Sequence, residues 1–307
     1  YYAMRMCILN NLFCQSDVVL ERFGGSIDHN GSKSAVNASL AGLKIGAVIQ
    51  MQNDRQIHAA LLSVEQSRLN IYQNDARIAQ YKITENGYGA YLGTNVGTLG
   101  PVRLGWVQRH RYYDLDIGAP SLPSADAAFG GWKASLDFDQ FDRMHFPTRG
   151  WAAQLGYFDS SEAGYSRADA NLQGAFTLSG TVFNARLRYT ASPRGVLPVY
   201  DAGYLGGFLN MTAYAPNQVI GDDIRYLGLR TERIIGHLPL GLRGDMRLGF
   251  ALEAAKVGAR YAESTGDGLL NSAAIYLGGQ TPLGQAYLGF GYSTSGVSNL
   301  FLFIGTP

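Results

Sequence analysis

The sequence predicts an all-β chain, a transmembrane antiparallel β-barrel of sixteen strands. Three observations carry this expectation. Apolar and polar residues alternate with a period of two over long stretches. Charge is scarce, 16% against about a quarter in ordinary soluble domains, while Gly (39), Tyr (19) and Phe (14) are abundant. Hydrophobic residues make up 46% of the 307, yet mean hydropathy is −0.06. No apolar run approaches the roughly 20 residues of a spanning helix. Glycine and aromatic residues suit strands, tight turns and interfacial girdles.

The alternation is clearest in the second half. Met246, Leu248, Phe250, Leu252 and Ala254 interleave with Asp245, Arg247, Gly249, Ala251, Glu253 and Ala255. Trp132, Ala134, Leu136 and Phe138 interleave with Lys133, Ser135, Asp137 and Asp139. Phe183, Ala185, Leu187 and Tyr189 interleave with Asn184, Arg186, Arg188 and Thr190. Successive strand residues point to opposite faces, so each strand has one apolar and one polar face. A soluble sandwich shares that pattern. Strand lengths near 9–13 residues favour a tilted bilayer crossing instead. So do aromatic residues near strand ends: Trp106 with Tyr112 and Tyr113, Trp151 with Tyr157, and Tyr287 with Tyr292.

Strands are expected near 298–305, 284–293, 270–280, 243–257, 221–234, 181–191, 167–178, 149–158 and 131–141. Earlier ones fall near 101–112, 86–96, 71–83, 56–66 and 40–51, with weaker segments near 20–28 and 3–9. The barrel thus covers 1–307, with 1–70 the least regular part. Asn53–Ser67 also reads as a short helix, and strand is preferred for consistency with the rest. A two-residue turn at Asn10-Asn11 would set Cys7 and Cys14 directly opposite each other, a poor geometry for a disulfide. The stretch Ser192–Ile220, with Pro193, Pro198 and Pro216, is the long connection between the eleventh and twelfth strands, hence the sixth outward loop. The short turn Asp142–Arg149 faces the periplasm. Tyr1 does not begin a signal peptide, so an exported protein would be represented by a processed form or a fragment.

Phe146-Pro147-Thr148-Arg149-Gly150-Trp151 resembles the F-P-T-R-G-W turn of the BamA/TamA superfamily, also called the bacterial surface antigen family. Leu205-Gly206-Gly207-Phe208 resembles that family's V-R-G-F/Y loop tip, which folds back into the barrel lumen. Phe250 to Val257 resembles the F-x-D-x-G stretch that anchors the tip through an Arg–Asp pair. Here Gly206 stands at the Arg position and Glu253 at the Asp position, so that pair cannot form. The expectation is that the loop still folds inward through backbone contacts and Phe208, with Glu253 meeting Arg247 or Arg225. Leu205–Asn210, Ala215-Pro216-Asn217-Gln218 and Ser298–Gly305 bring residues 70–307 closest to barrels of patatin-like type V autotransporters, the PlpD-like group. In that group a lipase and a small periplasmic domain precede the barrel. The lipase is not in this chain: no G-x-S-x-G elbow exists, Gly291-Tyr292-Ser293-Thr294-Ser295 being the nearest string.

Net charge is +1 and no Lys/Arg run offers a nucleic-acid footprint. His29, His58, His110, His145 and His237 have no metal-ligand spacing, and no cofactor is expected. The acidic ladder Asp137, Asp139 and Asp142 could hold calcium, but Asp137 and Asp139 facing inward arginines is the favoured reading. Asp222-Asp223 reads as a solvated pair. Arg103, Arg109, Arg186, Arg188, Arg225 and Arg247 are expected inside, in a structural ion-pair network in preference to an anion-selective pore. The resemblance implies an outer-membrane translocator that exports a fused patatin-like phospholipase and opens between its first and last strands. Its partners would be outer-membrane lipids, its own passenger, periplasmic chaperones and the barrel assembly machinery, with a homo-oligomer open. An assembly or insertion factor of the same superfamily is the alternative. A passive pore and a barrel phospholipase follow.

Overall fold

The computed structural model describes the backbone of every strand named below. It describes side chains for residues 69–303, apart from 74–75, 121–125, 144–145, 238–243, 259–267 and 282–284. The strands are β1 (Ala3–Met6), β2 (Phe13–Arg22), β3 (Ile27–Asn30), β4 (Ala35–Ala38), β5 (Leu43–Met51), β6 (Arg55–Gln73), β7 (Ala76–Asn95), β8 (Pro101–Gly118), β9 (Ala125–Asp139) and β10 (Gly150–Ser160). They continue with β11 (Tyr165–Leu178), β12 (Thr181–Arg194), β13 (Gly203–Leu205), β14 (Val219–Gly221), β15 (Ile224–His237), β16 (Asp245–Val257), β17 (Leu269–Thr281), β18 (Gly284–Tyr292) and β19 (Ser298–Ile304).

Fifteen of these form one antiparallel sheet in chain order, leaving out the hairpins β3–β4 and β13–β14. The two outermost strands, β1 and β19, do not pair with each other, and β3 approaches β19. Among the described residues the sheet has fifteen strands, and the expected 71–83 and 86–96 do not fall as two of them. The break expected between them lies within β7, and the expected 56–66 extends to Gln73. Polar residues that read as a break point into the structure: Glu85 accepts hydrogen bonds from Arg109 and Arg111. Gly87 marks close packing, since a Cβ there would lie 2.6 Å from the Gln108 carbonyl oxygen. The long connection therefore joins the tenth and eleventh strands of the sheet, β12 and β15. Of the 53–67 stretch, residues 55–67 are strand within β6, and 53–54 lie outside the described residues. In the first hairpin Met6 lies opposite Ser16, one residue off the register that a turn at Asn10-Asn11 requires; Cys7 lies outside the described residues.

The faces are inverted relative to a soluble domain. Leu248, Phe250 (46% exposed) and Leu252 (52%) stand outward on β16, while Arg247, Ala251 and Glu253 between them are buried. The same holds for Leu172, Phe176, Leu187, Leu227, Leu229, Ile275, Leu288, Phe290, Leu300 and Leu302 on neighbouring strands. A continuous exposed apolar surface of that extent marks an interface with lipid or another apolar partner. Trp106, Tyr112, Trp151, Tyr157 and Tyr292 point outward. Tyr113 and Tyr287, expected in the same girdles, are buried on the inner face, because each falls on the inward parity of its strand. Leu252→Arg is expected to cost about 2–4 kcal/mol of folding into bilayers. Equilibrium refolding into vesicles checks this, with Ala251 as the inward-facing comparison position.

Candidate functional site: the strapped inner loop

The segment between β12 and β15 lies on the inner face and touches strands far apart in the sheet. Tyr200 packs against Tyr113 of β8 and Phe129 of β9, with ring centroids 6.2 and 6.1 Å apart. Phe208 packs against Tyr276 of β17 at 5.3 Å, Tyr287 of β18 at 5.1 Å, and Phe301 and Phe303 of β19. One loop meeting β8, β9, β17 and β19 requires the sheet to curl round it.

Its tip is built by glycine geometry. Gly206 and Gly207 have φ of +113° and +104°, values that L side chains rarely adopt. Their amides donate to the carbonyls of Asn210 (2.8 Å) and Tyr214 (3.0 Å). A Cβ on Gly206 would lie 2.0 Å from the Ala215 carbonyl oxygen. An arginine cannot occupy that position without reshaping the turn. Gly206→Arg, which restores the residue type that the resemblance leads one to expect, should therefore loosen the tip and lower the unfolding temperature, as heat-dependent gel mobility would read. Leu205 beside it is fully buried, and Phe208 is nearly so.

The inner face holds this loop with two carboxylates of opposite provenance. Glu253, on β16 and 5% exposed, accepts the loop amides of Met211 (2.9 Å) and Thr212 (2.6 Å). It also accepts the Tyr226 hydroxyl at 2.8 Å, and Ser272 accepts the Ala213 amide at 2.9 Å. Neither arginine expected as its partner is there. Arg247 is inside but stacks over the Phe146 ring at 4.7 Å and approaches Glu232 at 3.9 Å. Arg225 stands on the outer face, paired with Asp223 at 3.0 Å, because it falls on the outward parity of β15 with Leu227 and Leu229. Two backbone N–H groups thus take the place of a guanidinium as donors to the carboxylate.

The second carboxylate comes from the loop. Asp201, 1% exposed, ends a short 3-10 turn (Val199–Asp201). Arg109 donates to both of its oxygens, at 3.0 and 3.1 Å, and Arg111 donates at 2.6 Å. The Tyr165 hydroxyl donates to it as well, and Arg167 donates to its backbone carbonyl at 2.8 Å. Glu85 bridges Arg109 and Arg111 from behind. Burial pushes the Asp201 carboxyl up; Arg109 and Arg111, with the Tyr165 hydroxyl, outweigh it and hold the group below the usual carboxylate range. Arg109 was among the arginines expected inside, but Asp201, Glu85, Arg111, Tyr165 and Arg167 were not singled out. The available signal was Arg109, Arg111 and Tyr113 at period two, one face of a strand carrying two adjacent cations that need a buried anion.

Of the remaining expected inner arginines, Arg103 meets Asp137 at 3.1 Å, Arg186 meets Asn171 at 3.0 Å, and Arg188 meets Asn210 of the loop. No group of three metal-ligating side chains occurs among the described residues. At the other end of the sheet, Asp142 closes the 142–149 turn, accepting the amides of Thr148 (2.9 Å) and Arg149 (3.0 Å) and the Thr148 hydroxyl. The Thr148 hydroxyl bond leads in holding its pKa down to about 2. Gly150 has φ +113°, and a Cβ there would meet the Gln140 carbonyl oxygen at 2.1 Å. Phe146 turns inward onto Tyr287 and Arg247, Trp151 points outward, Arg149 is exposed and Pro147 borders the inner cavity. That cavity, about 220 Å³, lies between turn and loop tip and is lined by Phe146, Gln173, Arg186, Leu209, Arg230 and Glu253, among others.

No family model and no curated protein matches the chain. Solved structures do. BamA from Haemophilus ducreyi, in a crystal structure lacking POTRA domains 1-3, superposes with a TM-score of 0.68 at 12% identity, over 93% of this chain and 74% of that one. CdiB from Acinetobacter baumannii gives 0.54 at 12% identity, over 92% of this chain and 62% of that one. CdiB from Escherichia coli gives 0.55 at 14% identity, over 87% and 52%. At these identities the likeness is one of architecture: the chain has the fold of the BamA and CdiB barrels.

Proposed function

We propose that this chain is a translocator barrel of a Gram-negative outer membrane, that it closes with sixteen strands round its sixth extracellular loop, and that it exports a patatin-like phospholipase fused ahead of it. The observation that carries the membrane reading is the inverted sheet, apolar outside and polar inside, with a loop strapped to the polar face by Asp201 and Glu253. Fifteen antiparallel strands leave β1 and β19 parallel to each other. Closure by antiparallel pairing, which leaves no edge in lipid, needs an even number. The loop-tip and turn motifs support the autotransporter reading through their resemblance. Its mechanism would be opening at the seam between the first and last strands, with the loop holding the lumen shut against free diffusion. Export needs no chemistry from the barrel itself.

The fold shared with BamA favours one alternative, an assembly or insertion factor. The two readings separate in cells that make the protein from its own gene. Protease added to intact cells should release lipase activity if the chain is an exporter. A strain without the protein should then keep normal levels of other outer-membrane barrels. A general loss of those barrels, with no surface lipase, would instead make it an assembly factor.

A further inference from the structure

The outer face carries one feature that the export reading does not use. Across β11, β12, β15, β16 and β17 two rows of outward side chains lie in register. The upper row, nearer the loop end of the sheet, reads Ala170, Tyr189, Arg225, Lys256, Leu269. The row beneath reads Leu172, Leu187, Leu227, Ala254, with the polar Asn271 closing it on β17. The small residues Ala170 and Ala254 leave a groove between the larger ones, an almost wholly apolar cavity of about 540 Å³. At its upper end Arg225 and Lys256 are directly opposite each other on neighbouring strands. Two like charges in that relation repel. Asp223 answers part of one of them, through Nε and Nη2 of Arg225 at 3.4 and 3.0 Å. Nη1 of Arg225 and the Lys256 ammonium have no partner among the described residues, and a guanidinium has donors to spare.

We propose that this groove is a binding site for a phosphate-bearing lipid of the outer leaflet, whose phosphate sits between Arg225 and Lys256 and whose acyl chain lies along Leu172, Leu187, Leu227 and Ala254. The chemistry selects that occupant. With Asp223 already on Arg225 the rim keeps one net positive charge, which a phosphate oxyanion balances, and the apolar floor continues from it toward the middle of the bilayer, the layout of a phosphorylated lipid with its head at the interface. Tyr189, half-exposed in the same row, has the amphipathic ring suited to that depth. The loop end of the sheet places the row in the outer leaflet, which in a Gram-negative outer membrane holds bis-phosphorylated glycolipid. The inference rests on the membrane reading above.

The test is native mass spectrometry of the full chain, folded in detergent and incubated with hexa-acylated bis-phosphoryl lipid A or with the same lipid stripped of phosphate. Heat-dependent gel mobility is run beside it to score folding. The expected result is retention of one bis-phosphoryl lipid A, at least tenfold less retention of the dephosphorylated lipid, and a matching loss in the Arg225→Gln/Lys256→Gln double variant. Arg233→Gln, an exposed charge near the opposite end of β15, should leave retention unchanged. Equal retention of the two lipids, or no loss in the folded double variant, overturns the proposal while leaving the membrane reading intact. So does Leu227→Cys cross-linking quantitatively to a second copy in bilayers, which would give the groove to a dimer. Failure of the wild type to fold in detergent or vesicles would bring down both.

Discussion

Replacing Asp201 with alanine is expected to free the inner loop and to cost about 3–5 kcal/mol, the usual range when one partner of a buried ionic cluster is removed. The carboxylate is the convergence point of Arg109, Arg111, Tyr165 and, through its backbone, Arg167. Without it, Glu85 is the one carboxylate left to Arg109 and Arg111 among the described residues. Two readouts check this: a lower temperature of the heat-dependent mobility shift, and protease cleavage between residues 195 and 223 in protein held in bilayers. Uncut loop and unchanged temperature would show that the tip alone holds the segment. The pH dependence follows in sign. Asp201 is held below its ordinary value, so its stabilisation is fully present above the unfolded aspartate pKa of about 3.9 and is lost as pH falls through the lower folded value. Loop protection should therefore persist at pH 5 and fail only in strong acid. Asp201→Asn should reproduce the acid state at neutral pH.

Phe208→Ala is expected to destabilise by a similar amount, about 3–5 kcal/mol, by a different route. The ring is the centre of a cluster with Tyr276, Tyr287, Phe301 and Phe303, and the Gly289 backbone is open to it: a Cβ there would lie 2.7 Å from the ring. Removing it leaves a cavity against β17, β18 and β19, the last strands of the sheet. The loss is one of packing, so it should be independent of pH and insensitive to salt, unlike the loss at Asp201. Chemical denaturation of the two variants across pH 3–8 separates the mechanisms. A pH-dependent loss in the Phe208 variant would mean that the aromatic cluster owes its place to the ion pairs.

Both effects concern the same loop, yet the residues behind them were unequally visible before the fold was known. The loop tip was legible only through the resemblance of Leu205-Gly206-Gly207-Phe208 to a family loop tip, and φ values above +100° give the physical reason for glycine at its two middle positions. The inward loss of the Arg–Asp pair was legible too, since Gly206 has no side chain to donate. The replacement was not. Glu253 takes backbone amides of Met211 and Thr212, and a backbone donor carries no residue signature.

Which residues lie on which face was decided by the sequence itself: period-two alternation placed Leu248, Phe250 and Leu252 on one side and Arg247 and Glu253 on the other, and the structure keeps that division. The strand ends from β10 onward also fell within a few residues of their observed positions, because Gly and Pro interrupt the pattern there. Only the tertiary structure decided three things. It joined 76–83 to 86–95 in one strand, since Glu85 reads as a break until its arginines are opposite it. It turned Arg225 outward and Tyr287 inward, where a pattern of charge or aromaticity alone is overruled by strand parity. It chose Asp201 as the anchor, 92 residues from Arg109 in the chain. Alternation is a property of neighbours and survives in one dimension; a buried ion cluster is a property of which distant strands a loop happens to cross, and exists only once the sheet has curled.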